Sequence, residues 1–398
     1  RHPTRYPEIY WDEILLRDPM DARTNIACGR RKLNQGLLDE AGDYFMTAIK
    51  RLTSRHPNPC TGEAHYYLGV VRRFQGCLAE AYDALYKSTW NYEWRAAAYY
   101  ELAMLDCRNG DYGKALEHCE ASRDTNRQNN KAHVLKAIAL RELGRDASGC
   151  QDELLSVDPL DHWARYDSGD VEGMLEKSRN DAQTLLDVAY DYADAGFRDK
   201  AIELLELHHA NEVTKAAVPN PLGQSQLTHY ALAWLKNDNN LLKEARELAP
   251  DYFFPSRLHD QLVLEWALEQ PNVSQASSLP CLDSNAAYGL GNYYYDKKRH
   301  ENAIAAWEKV EPFATVQRNL GIAYWNVRHD GEASREDDLS AIECDAADPP
   351  IVTENDQLRE TLGDPAVERL DTLLAKPELV AERVVCTVAL AALYNVSG

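Results

Sequence analysis

The sequence predicts an all-α protein, a right-handed superhelix of antiparallel helix hairpins. Three observations point there. "EAHYYLGVVRRFQGCLAEAYDALYKS" (63–88) aligns with "AAAYYELAMLDCRNGDYGKALEHCEAS" (96–122) at an offset of 34 residues. Small residues recur in pairs along the chain: Gly29/Ala41, Gly69/Ala81, Ala103/Ala115, Ala137/Ala147, Ala189/Ala201, Gly291/Ala303 and Gly321/Ala333. No run alternates apolar and polar residues strongly enough to read as a strand.

The paired spacing has a steric cause. Where two helices of a hairpin cross most closely, only Gly, Ala or Ser fits on either side. Larger residues fill the space around that contact. A glycine between them, such as Gly76 or Gly110, ends the first helix in a left-handed cap. In chain order, residues 1–20 read as a linker and 21–160 as a regular array. Residues 161–181, a short acidic stretch, read as an irregular joint. Residues 182–344 are expected to continue the array with degenerate middle copies such as "THYALAWLKNDNNLLKEARELAP". Residues 345–398 are expected to form capping helices. In the last of these, "ELVAERVVCTVALAALYNVSG" leaves little polar face, which predicts that another surface covers it. The occupant expected there is a further domain of the same protein or a second copy. The opening "RHPTRYPEIYW" reads as the middle of a longer chain.

Bulk properties narrow the function. With 398 residues and 27% charged positions the chain can fold around a large core. Its net charge of -21 disfavours nucleic acid and anionic membrane as partners. No apolar run is long enough for a membrane helix. Nine cysteines without close pairing fit reduced thiols and a cytoplasmic setting.

No cofactor or metal site is expected. "YGLGNY" lacks the third glycine of a dinucleotide loop, and His208-His209 lacks metal-site spacing. His162, Trp163 and Arg165 form a polar and aromatic cluster that reads as filler at a joint rather than a site. No catalytic residue stands out, and the chain alone reads as a non-enzyme.

The candidate site is a groove. Positions 2, 5, 9 and 12 of each first helix share a face turned away from the hairpin contact. That face carries Arg30, Tyr66, Arg73, Tyr100, Arg141 and Tyr190, an aromatic and guanidinium set suited to a peptide or protein partner. The stretch from Lys87 to His118 poses a related question. Trp90, Tyr92, Trp94, Tyr99 and Tyr100 are expected to form a wedge between helices rather than an exposed platform.

The small-residue pattern resembles the tetratricopeptide repeat, a family of helical scaffolds for protein–protein interaction. A narrower resemblance is carried by "SVDPLDHWARYD" (156–167), "APDYFFPSRL" (249–258), "LGNYYYDKKRHENAIAAWEKV" (290–310) and "TVALAALYNVSG" (387–398). These look like the C-terminal helical array of large bacterial and fungal proteins with an N-terminal, mutarotase-like β-rich domain. That resemblance implies docking onto such a domain. It also implies an alternative role, the helical accessory part of a carbohydrate-active enzyme. Some tetratricopeptide domains clamp a chaperone's C-terminal carboxylates with Lys and Asn, where this chain has Ile26 and Arg30, which speaks against such a clamp.

Overall fold

The computed structural model describes residues 8–214, 225–248, 253–270 and 283–328. Every regular element among them is a helix. The chain divides into two compact units, Arg1–Leu241 and Leu242–Gly398.

The first unit runs as α1 (Glu8–Arg17), α2 (Ala22–Asn34), α3 (Leu38–Leu52), α4 (Glu63–Phe74), α5 (Leu78–Ser88), α6 (Tyr92–Arg108) and α7 (Tyr112–Thr125). It continues as α8 (Asn130–Glu142), α9 (Ser148–Val157), α10 (His162–Ser168), α11 (Val171–Ser178), α12 (Ala182–Asp194), α13 (Arg198–Thr214) and α14 (Gln226–Lys236). Consecutive helices pack on each other, and the first helices α2, α4, α6 and α8 also touch in series. That is the contact pattern of stacked hairpins.

The paired small residues sit where their sizes require. Ala41, Ala81, Ala103, Ala115, Ala137, Ala189 and Ala201 are fully buried. A Cβ added to Gly69 would lie 2.5 Å from Leu85 Cγ and 3.2 Å from the Ala81 carbonyl oxygen. The same atom on Gly29 would meet the Phe45 ring at 2.7 Å. Between the helices of a hairpin, Gly36, Gly76, Gly110 and Gly144 adopt φ of 73°, 76°, 76° and 66°. The 34-residue period is therefore visible as a recurring left-handed stop from Gly76 to Gly144, and the first interval, Gly36 to Gly76, is longer.

Helix starts are equally local. The side chains of Asp21, Asp111, Asn129, Asp161, Asp170 and Asp181 each accept a hydrogen bond from the backbone N–H three residues on. These N-caps satisfy donors that the helix cannot satisfy itself.

Helices also occupy the two segments outside the regular array. Residues 1–20 contain α1. Residues 161–181 hold a short helical pair, α10 and α11. The two caps Asp161 and Asp170 start those helices, while Gly169, Arg179 and Asn180 at positive φ stop them within two turns. Trp163 is buried there with its ring edge on Tyr192, at 5.5 Å between centroids. Arg165 binds the Pro159 carbonyl oxygen at 2.8 Å and pairs with Asp170.

The second unit holds most of α15 (Asn239–Glu247), followed by α16 (Leu258–Glu269), α17 (Ser284–Asp296), α18 (His300–Trp307) and α19 (Ala314–Ala323). The last of these passes into one wider turn, Tyr324–Arg328. From α16 onward each helix packs on the next. A Cβ at Gly291 would fall 2.2 Å from the Trp307 indole, opposite the fully buried Ala303. The segment 345–398, for which capping helices with an apolar last helix are expected, lies outside the described residues.

Candidate functional site

The sequence places six side chains on one groove. The structure separates them into an open end and a closed end. The agent of closure is α12. It touches α6, its residues reach α4 and α8, and Phe197 just beyond it reaches α7.

Arg73 and Tyr100 lie at the closed end. Arg73 Nη1 donates to Asp194 Oδ2 at 2.6 Å, and its Nε lies 3.1 Å from Glu101 Oε2. The Arg73 side chain is only 8% exposed. Burial works against its charge, but Glu101 and Asp194 outweigh burial and hold the guanidinium more firmly charged than usual. Burial lifts the Glu101 carboxyl above the usual range, with Arg73 opposing. Lys131 Nζ donates to Asp191 Oδ1 at 2.8 Å. The Tyr100 hydroxyl is enclosed without a hydrogen-bond partner. Burial and then the charges of Asp191, Glu101 and Asp194 push its ionisation far above the ordinary phenol range.

The closure also has an apolar part. Ala195, just past α12, joins a core with Met104, Cys107, Cys119 and Leu135, and Phe197 packs against it. Phe197 stacks on Tyr112 at 6.3 Å between centroids. Gly196, at φ +90°, lies so close to α6 that a Cβ would be 2.7 Å from Arg108 Cα.

Three of the six residues thus depart from an open groove. Arg73 and Tyr100 are covered because the chain turns back on itself after four hairpins. Tyr190 is buried within α12 itself. Arg141 is exposed and paired, its Nη2 lying 2.5 Å from Asp167 Oδ1.

The open end keeps Arg30 and Tyr66. Arg30 is exposed, donates to Glu63 Oε1 at 3.2 Å, and stands 5.4 Å from the centroid of the Tyr67 ring. Tyr66, Tyr67 and Trp94 form one aromatic cluster. Trp94 lies 5.0 Å from Tyr66 and 5.4 Å from Tyr67, and Phe45 stacks beneath Tyr67 at 5.6 Å. Burial raises the Tyr66 phenol well above its ordinary value. Tyr67 takes part in this surface although the periodic reading did not select it. Its neighbour Tyr66 occupied the groove position, and the side chain of Tyr67 reaches the same surface from the next position.

The aromatic stretch divides. Trp94 and Tyr99 serve as wedge, Tyr99 stacking on His118 at 5.4 Å. Trp90 and Tyr92 are 50% and 68% exposed, and Lys87 Nζ sits 3.5 Å from the centroid of the Trp90 ring. The exposure arises because both residues flank the tight turn between α5 and α6.

Histidines give this unit a pH dependence. Burial, aided by Lys87, lowers the His65 imidazole from 6.5 to about 4. His209 stacks on His229 at 3.9 Å and lies beside His208. Burial and then these neighbours lower it to about 3. The unfolded chain binds these protons near 6.5, and the folded chain resists them. Stability is therefore full above that pH. It should fall as pH drops through 6, by roughly 1.4 kcal/mol per unit for each histidine. Urea midpoints at descending pH test this, with His65→Gln expected to flatten the decline.

Among the described residues no group of His, Cys, Asp or Glu side chains could hold a metal ion. No described helix is long and apolar enough to cross a membrane. The six described cysteines, among them buried Cys28, Cys107 and Cys119, are free thiols.

No family model matches the chain. Among solved structures it is similar to YrrB, a TPR protein with an unusual peptide-binding site. That likeness has 17% identity and a TM-score of 0.30, and covers 60% of this chain and 98% of that one. It is similar as well to a tetratricopeptide repeat protein from Parabacteroides merdae, at 16% identity and TM-score 0.29, over 85% of this chain and 98% of that one. A third is the P58(IPK) TPR domain, at 13% identity and TM-score 0.25, over 95% and 99% of the two chains. The architecture rests on packing rather than on these likenesses. Buried small residues at the hairpin crossings, with left-handed glycine stops at Gly36, Gly76, Gly110, Gly144 and Gly196, give this chain the fold of a tetratricopeptide-type array of helix hairpins.

Proposed function

We propose that the chain is a protein-interaction scaffold whose contact surface is the open end of the first-helix face, around Arg30, Tyr66, Tyr67 and Trp94. The observation that carries this reading is the combination found there. An exposed guanidinium lies beside a half-buried aromatic cluster on a firmly packed base. Such surfaces offer large contact area at little entropic cost, and Arg, Tyr and Trp dominate the energetics of interfaces. The partner that fits is a peptide or protein segment presenting a carboxylate next to an apolar side chain. Its carboxylate would take Glu63's place on Arg30, and its apolar group would lie on Tyr67 and Trp94. In this reading Arg73, Tyr100 and Tyr190 act indirectly, by holding the closed end shut.

Arg30→Glu is the decisive variant. Arg30 is exposed and its pair with Glu63 is weak, so its replacement should change stability by only about 1 kcal/mol. Partners captured by the intact protein, identified by mass spectrometry and then titrated singly, should bind the variant at least about tenfold more weakly. A partner that binds wild type and variant equally would overturn the assignment of this surface.

A further inference from the structure

A second place in the first unit has the form of a ligand site, away from the open end of the groove. Between α7, α8 and α9 lies a cavity of about 530 Å³. Its inner side carries two cations, Arg123 from α7 and Lys136 from α8, with the His133 imidazole of α8 between them. All three side chains are largely buried, His133 most of all at 5% exposed. The carboxylates are arranged the other way. Glu120 and Glu153 are 53% and 62% exposed and reach inward from the rim. Asp124 and Arg127 are exposed at the mouth.

Two nitrogens of the inner side lack hydrogen bonds. His133 Nε2 and Arg123 Nε are both buried without a partner. Glu153 Oε2 lies 3.7 Å from His133 Nε2, too far for a hydrogen bond. The other oxygen of Glu153 lies 3.3 Å from Arg123 Nη2, and Glu120 Oε1 lies 3.0 Å from Lys136 Nζ. Solvent-exposed glutamates therefore stand where an anion would, without satisfying what lies beneath them. Ion pairs with one such exposed partner contribute little and exchange easily. Buried donors left without acceptors are costly, and an incoming oxyanion would relieve that cost. The imidazole registers the local field. Burial and then the Arg123 charge hold His133 below the ordinary range, while Glu153 opposes them.

We propose that this cavity binds a small organic dianion, a phosphomonoester or a dicarboxylate. Its oxygens replace those of Glu153 and Glu120 on Arg123, His133 and Lys136. Its carbon body lies against Leu154 and Val157, which line the same cavity.

The test is isothermal calorimetry on the full chain with methyl phosphate and, separately, succinate. Saturable binding of methyl phosphate alone identifies the phosphomonoester class, and of succinate alone the dicarboxylate class. Arg123→Gln should weaken binding about tenfold or more, since a charge-assisted donor is lost. Glu153→Gln should tighten it severalfold, because the resident competitor loses its charge. That gain of affinity is the signature a merely structural ion pair would not produce. Lys136→Met replaces Arg123→Gln if melting shows that the latter unfolds. If neither dianion saturates the protein, or if Glu153→Gln binds no more tightly than wild type, the proposal fails.

Discussion

Replacing Arg73 with Met should destabilise the first unit by about 3–5 kcal/mol, because two buried carboxylates then face each other without a cation. Glu101 and Asp194 share that guanidinium, and their side chains are only 10% and 18% exposed, which leaves little water to compensate. Urea denaturation gives the magnitude directly. Adding Glu101→Gln and Asp194→Asn to Arg73→Met should recover part of the loss, since neutral amides need no cation. Salt should matter little to the Arg73 effect, as buried pairs are weakly screened. Arg30→Met makes a suitable control. Its pair with Glu63 is exposed on the arginine side and should be worth at most about 1 kcal/mol. Equal, small losses for both variants would show that α12 does not depend on the ion-pair cluster.

The second large effect is expected at Gly196. Alanine there meets two penalties. The left-handed backbone, at φ +90°, disfavours any Cβ by roughly 1–2 kcal/mol. The new methyl would also press on Arg108 Cα at 2.7 Å, backbone that cannot rotate away, adding about 1–3 kcal/mol. Gly76 separates the two contributions. It has φ +76° and nothing within 4 Å of a Cβ, so Gly76→Ala should show the conformational part alone. Chemical denaturation of the two variants in parallel measures the difference. If Gly196→Ala is no worse than Gly76→Ala, the close approach to α6 is not a firm contact.

The hairpins were legible in the sequence because their determinants are local. The Gly69 and Ala81 pair, the stop at Gly110 and the cap at Asp181 each act within one hairpin, and each leaves a periodic mark. The closure left none. Arg73 and Asp194 are 121 residues apart, and nothing in either segment points to the other. Without that pairing, a face turned away from hairpin contacts reads as open, so Arg73 and Tyr100 look like groove residues. Arg30 is exposed and Tyr66 packs with Tyr67 and Trp94, so local position alone decides their surroundings. The cavity beside His133 was illegible for a similar reason. Its cations come from two helices and its competing glutamate from a third, so no short motif contains them.

The fold-back of α12 also alters how this chain should come apart. An array whose modules meet only their neighbours can fray from either end, one module at a time. Here α12 is also bonded to α4 and α8. Separation of the modules between them then requires release of a long-range clasp, which couples distant segments into one cooperative transition. The same clasp raises contact order and delays folding, since a loop of over a hundred residues must close before it forms.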